Sequence, residues 1–149
     1  MAGIPTEASI LTMEEKALAG RVKNVYAHRS GGGKYMAVIQ FAKRVPSDEG
    51  RQRQAALIAL TAFPELKHVI VVDEDVDIYD PADVMWAVSN RVIPERDIFY
   101  IHNAQGHELD PCSDERGVQT KMGIDATLNE ESRCLERVRY PKVDLKDYQ

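Results

Sequence analysis

The stretch that decides the fold opens with Val69-Ile70-Val71-Val72. It passes through Asp73-Glu74-Asp75-Val76-Asp77-Ile78-Tyr79 and continues as Asp80-Pro81-Ala82-Asp83 into Val84, Ala87 and Val88. A short β-branched run without polar alternation suits a strand covered on both faces, as in a parallel sheet. Asp80, Pro81 and Asp83 make a helix start: a capping carboxylate, a fixed φ at the first helical position, and an acid at the third. The predicted helix runs to about Asn90, with Trp86 at one edge of its apolar face. A buried strand, an acidic turn and a capped helix in that order belong to a crossover unit, which predicts an α/β sheet.

The pattern continues in both directions. Residues 5–19 read as a helix, with Thr6 able to cap it, Ala8, Ile10, Leu11, Ala17 and Leu18 on one face, and Gly20 as the stop. Val22 to Ala27 and Tyr35 to Ala42 are β-rich runs either side of Ser30-Gly31-Gly32-Gly33-Lys34, a hairpin pattern. Pro46 ends the second run. Ser47 reads as a cap, and a helix to about Ala62 carries Ala55, Ala56, Leu57, Ala59, Leu60 and Phe63 on a shared face, closed by Pro64. Ile98 to Ile101 reads as a strand, Asn103 to Thr120 as a polar loop, and Ile124 to Ala126 as a short final strand. From Asn129 the chain is highly charged.

Composition narrows the function. The chain has 149 residues, is 44% hydrophobic and 29% charged, and carries a formal net charge of -5. That is one domain's worth of an ordinary globular composition. An acidic chain without a basic face argues against nucleic acid as a partner, because neutralising phosphates needs one. No stretch is long and apolar enough to span a membrane, so no membrane role is expected. The first twenty residues have neither the basic nor the apolar region of a signal peptide. Cys112 and Cys134 make no disulfide framework, which points to a reducing, cytoplasmic home.

The acidic run from Asp73 to Asp80 invites a metal reading but fails the EF-hand test, with Ile78 where glycine is needed and Val84 where the bidentate glutamate belongs. The favoured reading is structural: Asp80 as a cap, and Asp73, Asp75 and Asp77 capping turns or pairing with Arg91 or Arg96. The triple glycine before Lys34 lacks the Walker pattern and sits between strands, so it reads as a turn. His28, His68, His102 and His107 show no metal-ligand spacing. Cys112 reads as a free thiol. Lys121, between polar loop and strand, can offer a point charge to a phosphate or carboxylate, although its pattern alone favours a solvated lysine.

Several of these segments, in this order, resemble one family. His68 to Asp77, with Asp80, Val84-Met85-Trp86-Ala87 and Arg91, resembles the C-terminal domain of the UbiD-type decarboxylases. So does Thr120-Lys121-Met122-Gly123-Ile124-Asp125-Ala126-Thr127. Ile4-Pro5-Thr6-Glu7-Ala8 looks like the family's linker into that domain, and Val22 to Lys43 fits its hairpin. The resemblance covers roughly residues 4 to 128. It implies an α/β fold, a mixed sheet with a β-hairpin and helix-covered parallel strands. It divides the chain into a linker helix at 1–20 from a missing N-terminal part, the α/β domain at 21–128, and a charged tail at 129–149.

The function so implied is that of a C-terminal domain or small subunit of a non-oxidative (de)carboxylase. Such an enzyme acts on aromatic or α,β-unsaturated carboxylic acids with prenylated FMN, which serves as an electron sink while CO2 leaves. In the family, a split barrel ahead of this domain holds the prenylated FMN, Mn2+ and K+, and also carries the catalytic arginine and glutamates. This sequence matches none of those residues, so the chain is expected to be inactive alone and to hold no cofactor or metal by itself. Transferred residue by residue, only Lys121 matches a cofactor-binding position, near the cofactor phosphate; no catalytic and no metal residue carries over. The acidic strand end and Asp125 read as shaping a loop against the barrel, and Glu7 as a linker residue near the active site of a complete enzyme. The implied partners are a flavin-binding barrel domain or companion decarboxylase chain and further copies in a homo-oligomer. The alternative is a non-catalytic oligomerisation or regulatory partner derived from the same domain.

Overall fold

The computed structural model describes residues 3–129 and Arg137. Five strands form one mixed sheet: β1 (Val22–Ala27), β2 (Met36–Phe41), β3 (His68–Asp73), β4 (Ile98–Gln105) and β5 (Val118–Ala126), in the spatial order β1-β2-β3-β5-β4. The β1–β2 hairpin is antiparallel, β2–β3 and β3–β5 are parallel, and β5–β4 is antiparallel. The helices are α1 (Gly3–Leu18), α2 (Arg51–Ala62), α3 (Pro81–Arg91) and the one-turn α4 (Pro94–Asp97). This is the mixed α/β sheet expected from the sequence.

The β-branched run of β3 is buried on both sides. Val69 and Val71 enter one core with Ile10 and Leu18 of α1 and Ala55, Ala59 and Leu60 of α2. Ile70 and Val72 enter the other with Val84 and Ala87 of α3. Successive side chains on a strand point to opposite faces, so a strand between two helical layers needs apolar residues at every position. Burying one valine or isoleucine stabilises the fold by about 1.5–3 kcal/mol. A charge at Val71, 1% exposed, would break the α2-side core.

Several boundaries differ from those expected, each for a local reason. The helix expected from Ser47 starts at Arg51, after a 3-10 turn at Pro46–Asp48. The Asp48 carboxylate accepts from the backbone N–H of Arg44 at 2.8 Å and of Val45 at 3.2 Å, holding the turn. Gly50, at φ 93°, then redirects the chain into α2. Leu57, expected on the buried face, is 43% exposed. Both ends of the expected polar loop are strand, because β4 continues to Gln105 and β5 begins at Val118. β4 bends between Ile101 and Ala104, where Asn103 takes a φ of 55°. The expected charged tail lies outside the described residues except for Asn129 and Arg137.

Candidate functional site

Along β5, the side chains facing α2 are Gln119, Lys121, Gly123 and Asp125, all buried. A polar row on a covered strand face needs partners, since an unmatched buried polar group costs about 1–3 kcal/mol. Most come from α2. The Asp125 carboxylate accepts from Gln52 Nε2 at 3.0 Å, and Arg53 lies 3.7 Å away, both at the start of the helix. Its other oxygen accepts from the backbone N–H and hydroxyl of Thr127, at 3.1 and 2.6 Å. Lys121 Nζ donates to the carbonyls of Leu60, at 3.3 Å, and Pro64, at 2.7 Å, at the helix's far end. Strand and helix therefore run in opposite senses, with the anion at the positive end of the helix dipole and the cation at the negative end. Gly123 lies between them, and a Cβ there would sit 2.1 Å from the Phe99 ring. The Lys-x-Gly-x-Asp spacing thus has a packing meaning: two charges clamp the helix ends, and the glycine admits Phe99 between them.

Lys121 is 3% exposed, which overturns the solvated reading that its pattern favoured. The expected loop-to-strand junction is already strand at this point, and alternation turns the lysine inward. Desolvation lowers its pKa from the ordinary lysine value. The ammonium is held by neutral carbonyls, and its side chain lines a cavity of about 290 Å³.

A second cavity, of about 380 Å³, opens at the other end of α2, beside Glu49, Gln52, Arg53, Arg96, Asp97 and Asp125. It adjoins the carboxyl ends of the parallel strands, where α/β folds place ligands. Its charges are paired. Arg96 forks onto the carboxylate of Asp97 at 2.7 and 2.8 Å, and Arg53 bonds the carbonyl of Arg96. Burial pushes the Asp97 carboxyl up, but the Arg96 fork and the Ile93 N–H outweigh it and leave its pKa below the usual range. The sequence reading missed Gln52 and Arg53, for which the polar start of α2, Arg51-Gln52-Arg53-Gln54, was the available signal; Arg96, offered there as a partner for the acidic run, pairs with Asp97 instead.

The acidic run is consumed by structure. The Arg91 guanidinium bonds Asp73 at 2.9 Å and Asp75 at 2.9 and 2.7 Å. Asp77 accepts from the N–H of Tyr79, and Asp80 caps α3 through Ala82 N at 3.0 Å. Asp83 accepts from the N–H of Asp77 at 2.6 Å. The Asp73 carboxyl is pushed up to about 6, because burial outweighs the Leu128 N–H and the Arg91 charge. Glu7 lies far along the sheet from Asp125, at the β1–β2 hairpin, where it accepts from Ala27 N at 2.9 Å. Thr6 donates to Gly33 O at 3.0 Å, so the Pro5-Thr6-Glu7 segment fastens α1 to the hairpin. The structure brings Lys121 and Asp125 onto one strand face and leaves Glu7 and the acidic run elsewhere. Among the described residues, no group of three or more His, Cys, Asp or Glu side chains is placed to hold a metal ion, and no helix is long and apolar enough to cross a membrane.

Comparison with known proteins follows the same segments. Residues 1–126 match the family model of the 3-octaprenyl-4-hydroxybenzoate carboxy-lyase C-terminal domain, UbiD_C. The gallate decarboxylase of Lactiplantibacillus plantarum is 44% identical over 153 aligned residues, covering 96% of this chain and 31% of that protein. Among solved structures, the apo 3,4-dihydroxybenzoic acid decarboxylase of Enterobacter cloacae superposes with a TM-score of 0.89 at 44% identity, over 99% of this chain and 32% of that one. The UbiD-class enzyme HmfF of Pelotomaculum thermopropionicum, solved in complex with FMN, superposes with a TM-score of 0.86 at 41% identity, over 99% of this chain and 33% of that one. The chain spans about a third of the length of the relatives it matches.

Proposed function

The chain belongs to the UbiD carboxy-lyase family and matches its C-terminal domain, and from that premise we propose that it serves as the C-terminal domain or small subunit of a non-oxidative decarboxylase. The substrates are aromatic or α,β-unsaturated carboxylic acids, and the cofactor is prenylated FMN held by another part of the enzyme. The observation that carries this reading is a match along nearly the whole chain to about a third of each decarboxylase. The prenylated FMN, when bound, accepts the electron pair left as CO2 departs.

Two places on this chain support that reading, at opposite ends of α2. Lys121 is the single position assigned to the cofactor, through its phosphate. An ammonium has three donors, and two are taken by carbonyls, which leaves one for a phosphate oxygen. The paired carboxylates at the strand ends hold the loop after β5, through Asp73 and the Leu128 N–H at 2.7 Å, as a docking edge for the flavin-holding part. The Mn2+ and K+ belong to that part too. The segment around α1 is the linker into the domain, and the cell compartment is the cytoplasm. The test is reconstitution. The chain alone is expected to show no turnover of dihydroxybenzoates. Supplied with a flavin-loaded barrel from a relative, it should restore CO2 release. Stoichiometric flavin co-purifying with the isolated chain would sink the proposal.

The alternative, a non-catalytic oligomerisation or regulatory partner, draws on the exposed apolar side chains Tyr79, Met85, Tyr100 and Leu109, which are 55–80% exposed. Gel filtration over a range of concentrations separates the two: self-association without barrel binding favours the alternative.

A further inference from the structure

The cavity beside Lys121 has walls of one kind and polar groups of another. Leu57, Leu60, Pro64, Ile101 and Ala104 supply the walls, and among the described residues Lys121 is the one charged member of the lining. The Thr61 hydroxyl is already engaged with the carbonyls of Leu57 and Ile58, at 2.6 and 3.1 Å. Gln119 stands two residues before Lys121 on the same face of β5, opposite Ala104 in the β4 register. It is 6% exposed, and its Nε2 has no hydrogen-bond partner among the described residues. Side chains at i and i+2 of a strand lie about 7 Å apart on one face. One ammonium with a donor to spare therefore borders an apolar space whose described lining holds no acid to answer it, while the unmatched Gln119 amide lies outside that lining, against Gly106.

We propose that this cavity binds a small carboxylic acid with an apolar body. Its carboxylate takes the remaining donor of Lys121, and its body lies against Leu57, Leu60, Ile101 and Ala104. The volume, about 290 Å³, lies at the small end of ligand pockets and suits a single ring or short chain. Burial costs the ammonium its hydration, and a carboxylate returns a partner for the charge. The inference rests on the same ammonium that the proposed function assigns to a cofactor phosphate, and the two anions exclude each other there.

The experiment is a nuclear magnetic resonance titration of the 149-residue chain with benzoate. Saturable shifts are expected at the amides of Leu60, Ile101 and Ala104. Benzamide, the neutral isostere, should bind about ten-fold or more weakly, as one charge-assisted hydrogen bond requires. Lys121→Met should abolish the shifts. Leu57→Trp should do so by filling the cavity from an exposed position, which keeps the test decisive even when Lys121→Met does not fold. Absent shifts, equal binding of benzamide, or binding retained in Leu57→Trp would each overturn the proposal. Inorganic phosphate forms the separate arm. Displacement of benzoate by phosphate supports both uses of Lys121; benzoate binding that phosphate leaves untouched keeps the cavity and removes the phosphate contact.

Discussion

Arg91 and Glu14 are both fully buried ionisable side chains, one on α3 and one on α1, and the fold treats them in opposite ways. Arg91 has three hydrogen bonds to Asp73 and Asp75 and stacks its guanidinium 4.9 Å from the Trp86 ring centre. Glu14 has neither oxygen hydrogen-bonded among the described residues, and burial pushes its carboxyl up to about 8. A buried charge survives when opposite charges are held against it, as the half-buried Asp73 and Asp75 are, and otherwise surrenders the charge. The lesson bears on function. The carboxylates that look most like a metal site, Asp73 and Asp75, are spent on holding one arginine. The carboxyl without a partner among the described residues, Glu14, is held mostly protonated at pH 7 by burial.

The largest expected effect removes the matched charge. Arg91→Leu leaves Asp73 and Asp75 facing each other without a cation; because their side chains are 19% and 37% exposed, the loss falls short of that of a wholly buried pair, at about 2–3 kcal/mol. Urea denaturation should show the unfolding free energy fall by that amount; a loss under about 1 kcal/mol would place the network among surface pairs of little worth.

The unmatched charge predicts the opposite sign. Unfolded Glu14 takes its proton near 4.5, and folded Glu14 near 8, so the folded state binds the extra proton between these values. Stability is therefore full below about 4.5 and is lost as the pH rises toward 8 and through it. Asp73, raised from 3.8 to about 6, adds a smaller fall in the lower part of that window. Glu14→Leu should raise stability by about 2 kcal/mol or more at pH 8, since each pKa unit corresponds to about 1.4 kcal/mol. It should also flatten the fall above pH 6. A variant whose stability keeps the wild-type pH slope would show that Glu14 finds a partner in solution.

How much was legible in the sequence follows the same division. The β3 run, the Asp80-Pro81 cap and the β1–β2 hairpin were readable because each follows from local chemistry: β-branching, φ and a side-chain acceptor. The Arg91 network was readable as a choice between structure and metal, because the acids were visible and the arginine was near in sequence. β5 was legible only at its end, Ile124 to Ala126, since Gln119 and Lys121 make its first half look like a loop. The partners of Lys121 and Asp125, at Leu60, Pro64 and Gln52, come from a helix more than fifty residues away in sequence, and only the folded chain reveals that a polar strand is buried. Glu14 was invisible for a related reason. On a helix with Glu15 beside it, no local pattern distinguishes the acid that turns inward.

The mildest prediction concerns an acid of a third kind, in the same run as Asp73 but facing solvent. Asp80 is exposed, and its carboxylate accepts from the Ala82 N–H at 3.0 Å. It carries no buried charge, so neither the matching of Arg91 nor the neutralising of Glu14 applies. Its worth is that of a helix cap. Asp80→Ala should cost about 1 kcal/mol, and Asp80→Asn, which keeps the acceptor, should cost close to nothing. Should thermal denaturation instead find Asp80→Asn as damaging as Asp80→Ala, the charge itself would be at work. The acidic run would then need an account beyond the arginine, the turns and the cap that now absorb it.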